Sequence, residues 1–367
     1  MKKTFLLALS LLAGASMAQT YNVTGVMPEG AKTVYLHNAE SPRGTLPDSV
    51  TTAQLVNGKF TFKGNANGKF FGFISTDKPN SLVLPIMLEG DIDVDFTNGK
   101  VGSGINTENL LLSEFESKLR AERVKMKALN DQLKSYESYE PHDALPEDLL
   151  ESIYAKGDSI SEIMAGIVSK AVLEHTAMKF PAYFVYYYNP YLNEADLLKA
   201  ADNDAAFLKL SLVKPVVEKI EGLRRQAVGA QFTDLEMPDT TGTMRKLSEF
   251  VGNGKYVLVD FWATWCGPCR AELPTVKKAY ELYKDKGFDV VGLSFDRSKE
   301  EWVNFIQKEK LNWHHLSDLK FWESIAGTTY SISGIPFTML VNPNGQIIAT
   351  NLRGEDLLKQ LAEIFDK

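Results

Sequence analysis

Hydrophobic and polar positions change rhythm along this 367-residue chain. Between Tyr21 and about Gly104 the runs are short and alternate with a period of two, as strands with one wet face do. Lys32 to His37 reads KTVYLH, and Asp91 to Phe96 reads DIDVDF, with acids and apolar residues taking turns. Asn57-Gly58 sits between Leu55-Val56 and the alternating Phe60-Thr61-Phe62, a hairpin signal. Short strands punctuated by Gly and Asn predict a small antiparallel β sandwich or barrel over residues 19–108.

From about Asn109 to Val228 the period lengthens, predicting a helical region over 109–228. Leu112, Phe115, Leu119, Val124, Met126, Leu129 and Leu133 recur at roughly helical spacing with charges between them, so one face should be buried. Pro141 and Pro146 break this helix, and Pro146 with Glu147 and Asp148 suits the start of a second. The run FPAYFVYYYNPYL, from Phe180 to Leu192, is read as helix–helix core rather than a ligand-stacking surface. Tyrosine buries a large ring while keeping a polar tip.

From Gly229 to the end, strand and helix patterns alternate, which defines an α/β domain over 229–367. KYVLVDFWA is nearly continuous in apolar residues, the mark of a strand covered on both faces. RAELPTVKKAYELYKDKG is an amphipathic helix ending at Gly287, FDVVGLSFD a second buried strand, and SKEEWVNFIQKEK a helix. FTMLVNPNGQIIATNLRG gives two strands around Asn344-Gly345, and EDLLKQLAEIF a closing helix.

The first residues add a compartment. Lys2 and Lys3, the apolar Phe5 to Ala13, and Ser16-Met17-Ala18 form a secretory leader over 1–18, cleaved near Ala18. Its apolar run is far shorter than the ~20 residues a membrane-spanning helix needs. The mature protein is therefore expected outside the cytoplasm, most simply in a periplasm. The 44% hydrophobic content supports sizeable cores, and a net charge of −7 without a basic stripe argues against nucleic-acid binding.

The chain holds two cysteines, Cys266 and Cys269, so it is no disulfide-stapled scaffold. They stand in the order strand, Cys-x-x-Cys, helix. Cys266 falls where unpaired backbone N–H groups and the helix dipole favour a thiolate, the nucleophilic form. Cys269 follows one turn on, within bonding reach, so Cys266 should attack a substrate disulfide and Cys269 resolve the product. Zinc would need four ligands. His142 and His175 lie apart, and the adjacent side chains of His314 and His315 diverge, so neither a metal nor a cofactor is expected. A peroxidase of the peroxiredoxin kind would need Pro and Thr seven and three residues before its cysteine; Val259 and Ala263 precede Cys266, Trp262 and Cys266 precede Cys269. A purely structural bridge in so short a loop would constrain little of the unfolded chain.

At these residues a family resemblance enters. VLVDFWATWCGPC, residues 257–269, is similar to the active-site strand and motif of thioredoxin. With DVVGLSFD and GIPFTMLVNPNGQII, residues 229–367 resemble the exported TlpA/ResA-like thiol-disulfide oxidoreductases. VNGKFTFKGNA, LEGDIDVDF and GSGINTENLLLSEFE resemble the β-rich N-terminal domain that often precedes such units, a family without assigned chemistry.

The resemblance implies a thioredoxin fold, with Cys266 as the attacking and Cys269 as the buried resolving cysteine. It implies a cis bond before Pro336 that presents Ile335 backbone groups to substrate. Asp260 matches a buried acid that takes the Cys269 proton, Glu272 an acid that shares or replaces that role, and Trp265 a residue flanking the site. Gly292 stands where thioredoxin has a lysine, and Phe337 where the family often has Thr, which should make the groove bulkier. Gly-Pro between the cysteines resembles reducing thioredoxins, near roughly −270 mV, rather than oxidants near about −120 mV. The implied function is periplasmic protein-disulfide reduction, with protein thiols and disulfides as partners and a DsbD-type membrane electron donor. Two alternatives stay open: an isomerase, which favours a homodimer with facing sites, and a partner-binding protein with an auxiliary thioredoxin unit.

Overall fold

Alternation becomes strand wherever one face can be buried, and the first part of the chain follows that rule. The computed structural model describes residues 20–26, 29–37, 50–67, 69–78, 83–96, 100–101, 107–137 and 147–366. The leader, Pro141, His142 and Pro146 lie outside the described residues. The chain divides into two units, Met1–Lys214 and Pro215–Lys367.

In the first unit the strands are β1 (Thr20–Val26), β2 (Val34–His37), β3 (Val50–Thr52), β4 (Gln54–Val56) and β5 (Lys59–Asn65). β6 (Phe71–Thr76), β7 (Leu84–Met87), β8 (Gly90–Asp95) and β9 (Lys100–Val101) follow. They form two sheets, ordered β4-β5-β1-β8-β9 and β3-β2-β6-β7. Val23, Phe60 and Ile92 of one sheet and Leu36, Ile74 and Ile86 of the other share one core, so the region is a sandwich. In β8, Ile92 and Val94 are buried, while Asp91 and Asp93 face outward and accept from Asn22 and Thr24. Asn57 and Gly58 link β4 to β5 with φ of 54° and 73°, the left-handed pair that a two-residue hairpin turn requires. One pair departs from the antiparallel expectation. β1 and β8 run parallel, because the chain passes through the other sheet between them and no hairpin fixes their sense.

Helices α1 (Thr107–Glu137) and α2 (Glu147–Leu173) pack together in the same unit. Leu112, Phe115 and Leu119 of α1 are buried as the spacing predicts, but Val124 is 65% exposed. Val124 falls five residues after Leu119, off the helical repeat, and the buried positions nearby go to Glu116 and Glu122. Glu116 accepts from Tyr188 Oη at 2.7 Å and Arg123 Nη2 at 2.6 Å, which compensates its burial. The aromatic run forms α3 (Pro181–Tyr187), with α4 (Glu194–Asp202) after it. Phe180, Tyr183 and Phe184 are core, packed against Phe115 of α1 and also against Phe71 of β6.

The second unit opens one residue into α5 (Lys214–Gln226), followed by β10 (Glu236–Pro238), β11 (Met244–Lys246), β12 (Tyr256–Trp262), α6 (Gly267–Tyr283) and β13 (Phe288–Ser294). After these come α7 (Lys299–Glu309), β14 (His314–Leu316), α8 (Ile325–Tyr330), β15 (Phe337–Val341), β16 (Ile347–Thr350) and α9 (Gly354–Phe365). The main sheet is ordered β14-β13-β12-β15-β16, with β12, β13 and β14 parallel and β15 and β16 antiparallel to their neighbours. This is the thioredoxin arrangement. β12 and β13 are buried almost throughout, matching their continuous apolar runs. The hairpin β10–β11, the three-residue β14 and the short α8 escape the sequence pattern because each is too short to repeat its period often enough to be read. α5 attaches to the end of α8 through Gln226 Nε2, which donates to the Tyr330 carbonyl at 2.6 Å, and Ser331 Oγ, which donates to the Lys219 carbonyl at 3.1 Å. Among the described residues no helix is long and apolar enough to cross a membrane.

Candidate active site

Strand β12 runs buried to Trp262, and after four residues the chain enters α6 with Cys266 as its N-cap. Cys266 and Cys269 are joined in a disulfide with Cα atoms 5.3 Å apart. The Cys269 N–H donates to Cys266 Sγ at 3.1 Å, and Gly267 and Pro268 fill the first two helical positions. Proline there loses no intrahelical bond. The Cys266 sulfur thus sits at the positive end of the helix dipole with a backbone donor aimed at it.

The Ile335–Pro336 bond is cis, and the Ile335 carbonyl oxygen lies 3.7 Å from Cys266 Sγ. Pro336 is buried and Ile335 half-buried. Arg353 braces this turn from outside by donating to the Pro336 carbonyl. The next residue, Gly354, donates its N–H to Glu272 Oε2 at 2.9 Å. Residues 353 and 354 therefore tie the proline turn to helix α6. Phe337 packs its ring edge-on against Phe261 at 5.7 Å, so much of its bulk enters the core rather than the groove.

Asp260 is 6% exposed and carries the strongest electrostatic signature of the site. Burial raises its pKa from 3.8 to about 7, and the nearby Glu272 charge adds to the rise. In the sheet its register partners are Thr338 on β15 and Gly292 on β13. Gly292 thus faces Asp260 where the thioredoxin pattern puts lysine, and the reason is steric. A Cβ on Gly292 would stand 2.7 Å from Trp262 Nε1 and 2.9 Å from His315 Nδ1. No side chain fits under those rings. Gly292→Ala is expected to lose about 1–3 kcal/mol of stability by overpacking, read as a lower urea midpoint at unchanged slope.

His315 itself is buried and its pKa falls to about 3, because burial disfavours the cation, so it stays neutral. Its neighbour His314 points the other way, exposed, stacked on Phe250 and 3.7 Å from Asp289. The two rings diverge as successive residues of a strand must.

Trp265 stands beside Cys266, 46% exposed, with Nε1 donating to the Phe295 carbonyl at 3.2 Å. The structure therefore brings Cys266, Cys269, Asp260, Glu272, Trp265, Ile335 and Pro336 to one end of the sheet. Sequence reasoning missed two supports. Asp296, 2% exposed, accepts from the Thr264 N–H and hydroxyl and from Ser294 Oγ, fixing the loop that leads to Cys266. A carboxylate just past the end of the neighbouring parallel strand was its only signal. Arg353 gave none, since its reach to Pro336 depends on the β15–β16 pairing.

Fold and cysteine pair together define a thiol-disulfide oxidoreductase of the thioredoxin class. The AhpC/TSA family description matches residues 228–350. A thiol-disulfide oxidoreductase ResA of Bacillus thuringiensis subsp. konkukian is 30% identical over 143 residues, 39% of this chain and 79% of that protein. ResA of Bacillus subtilis is 30% identical over 120 residues, 33% of this chain and 64% of that one. Among solved structures, the thioredoxin domain of a thiol-disulfide oxidoreductase from Bacteroides vulgatus is 37% identical, with 38% of this chain and 98% of that chain covered and a TM-score of 0.35. The chain belongs to the ResA-like thiol-disulfide oxidoreductases, with the AhpC/TSA match confined to its C-terminal domain.

Proposed function

We propose that this protein is an exported protein-disulfide reductase whose redox domain spans residues 229–367. The observation that carries the reading is Cys266 at the N-terminus of α6, beside the cis Ile335–Pro336 turn. In the reduced protein the Cys266 thiolate attacks one sulfur of a substrate disulfide. The other sulfur leaves as a thiolate, and a mixed disulfide forms. A substrate strand beside Ile335 can pair with its backbone groups and hold the scissile bond in line. Asp260 then takes the Cys269 proton, and Cys269 attacks Cys266 Sγ, releasing the substrate thiol and leaving the 266–269 disulfide. Burial does most to poise Asp260 near neutral pH, and the Glu272 charge adds to it, while Glu272 also holds Gly354.

The leader read over 1–18 supports a periplasmic site of action. There the reduced state has to be replenished from the cytoplasm, and the family resemblance supports a membrane carrier of the DsbD type as the donor. Gly267-Pro268 between the cysteines favours reduction over isomerisation. Equilibration of the full chain with dithiothreitol buffers tests the direction. A potential near roughly −270 mV is expected, and one above about −180 mV would overturn the reductase reading.

A further inference from the structure

Beyond the cysteines, one surface next to them has no role in the steps above. Three aromatic rings meet there although they come from different segments. Trp265 lies 5.0 Å from Phe321 and 6.0 Å from Trp322, and Phe321 lies 5.7 Å from Trp322, centroid to centroid. Trp265 is 46% and Trp322 39% exposed, and Ile325 at the start of α8 is exposed beside them. Apolar area left in water at the mouth of a reactive sulfur marks a contact surface.

The surface is held in shape. Leu319 and Phe321 take φ of 58° and 55°, a conformation unfavourable for side chains of that kind. Ser317 Oγ accepts from the Leu319 N–H, and Asp318 accepts from the Lys320 and Ile325 N–H groups. Trp322 leans on buried Phe295 at 5.4 Å, and Trp265 is fixed by its bond to the Phe295 carbonyl. Little ordering is left to pay on binding.

The surface also carries an unpaired cation. The Arg297 guanidinium lies 4.0 Å from the Phe321 ring centre, is exposed, and has no carboxylate partner among the described residues. Stacked in this way, its N–H groups remain free in the plane to grip a carboxylate with two bonds. The neighbouring carboxylates Asp296 and Asp318 are occupied by the bonds given above. Neither of them takes its bonds from Arg297, so the edge of this guanidinium stays open to a carboxylate from a partner.

We infer that Trp265, Phe321, Trp322 and Arg297 form a substrate-recognition surface selecting polypeptides that carry an aromatic and an acidic residue next to the reacting cysteine. The inference rests on the reductase reading for its use in the cell, but the recognition concerns only the attack of Cys266. It can therefore be tested without reference to direction. The full-length Cys269→Ser protein, reduced, is mixed with peptides whose cysteine carries thionitrobenzoate as a mixed disulfide. Cys266 attacks the peptide sulfur, a new protein–peptide disulfide forms, and thionitrobenzoate leaves as the coloured thiolate.

Peptides with Trp-Glu beside the cysteine are expected to react roughly 1.5- to 5-fold faster than those with Trp-Lys at low salt, the range of one exposed ion pair. The ratio should shrink at 0.5 M salt as screening shortens. Arg297→Glu should invert it, whereas Lys359→Glu, the same charge change on distant α9, should leave it unchanged. Trp322→Ala should slow both Trp peptides relative to Ser counterparts. Equal rates for the two charges, or an equal fall for every peptide in Arg297→Glu, would overturn the inference. Neither outcome touches the reductase reading, which stands or falls on the measured potential.

Discussion

Cys266→Ser is expected to bring insulin reduction down to the uncatalysed rate, while Cys269→Ser should accumulate covalent complexes with substrates. The two sulfurs are three residues apart yet chemically unequal. Cys266 caps α6 and takes the Cys269 N–H, so its thiolate is the one stabilised by the helix. Both sulfurs are nearly buried in the disulfide, at 4% and 3% exposure, but Cys269 lies inside the first turn, where its N–H is given to Cys266 rather than its sulfur receiving one. Without Cys266 no attack begins, and serine is far too weakly acidic to replace it. Without Cys269 the first exchange proceeds and the second has no nucleophile, so the substrate stays attached. Mass spectrometry of the trapped complexes reads the result directly and names the substrates. Full insulin-reducing activity in Cys266→Ser would end the enzyme assignment of the pair; no trapping by Cys269→Ser would remove its resolving role.

Asp260→Asn should slow resolution and, at the same time, stabilise the fold above neutral pH. The folded carboxyl titrates near 7 instead of 3.8, so between those values the native state holds a proton the unfolded chain has released. Stability contributed by this group is therefore present at acid pH, is lost as pH rises towards 7, and stays lost above it. The full shift corresponds to roughly 4 kcal/mol as an upper bound, and asparagine removes that penalty. The expected observations are a higher melting temperature at pH 8, no gain at pH 4, and loss of the inflection near pH 7 in the rate of mixed-disulfide resolution. Resolution in the native protein should accelerate as pH rises through that point, since only the ionised carboxylate can accept the Cys269 proton. Glu272→Gln should move the inflection to lower pH, because the Glu272 charge is one cause of the rise. A resolution rate with the same pH profile in Asp260→Asn would exclude Asp260 as the proton acceptor.

Much of this site is legible from sequence because its parts are local. Strand, Cys-x-x-Cys and helix follow one another within β12 and α6, so the periodicity of KYVLVDFWA and the cysteine spacing place the nucleophile without further information. Ile335-Pro336 and Asp260 are legible through family resemblance, each by its position in a short string that matches the family's motif. The β1–β8 pairing, the exposure of Val124 and the hold of Arg353 on Pro336 are not legible, for they depend on which strand lies beside which.

By itself, then, the sequence determined the chemistry: two cysteines at a strand-to-helix junction, a buried acid six residues earlier, and a proline to face them. Bonding within a few residues is set by covalent geometry and helix pitch, which the order of residues alone specifies. Tertiary structure decided what surrounds that chemistry. It made Gly292 obligatory by bringing Trp262 and His315 over it, turned Glu272 into a clamp for Gly354, and set Trp265 against Phe321 and Trp322. Those partners lie between 23 and 82 residues apart in the chain. Only the register of β12, β13, β14 and β15 brings them within contact distance, and register is a property of the assembled sheet.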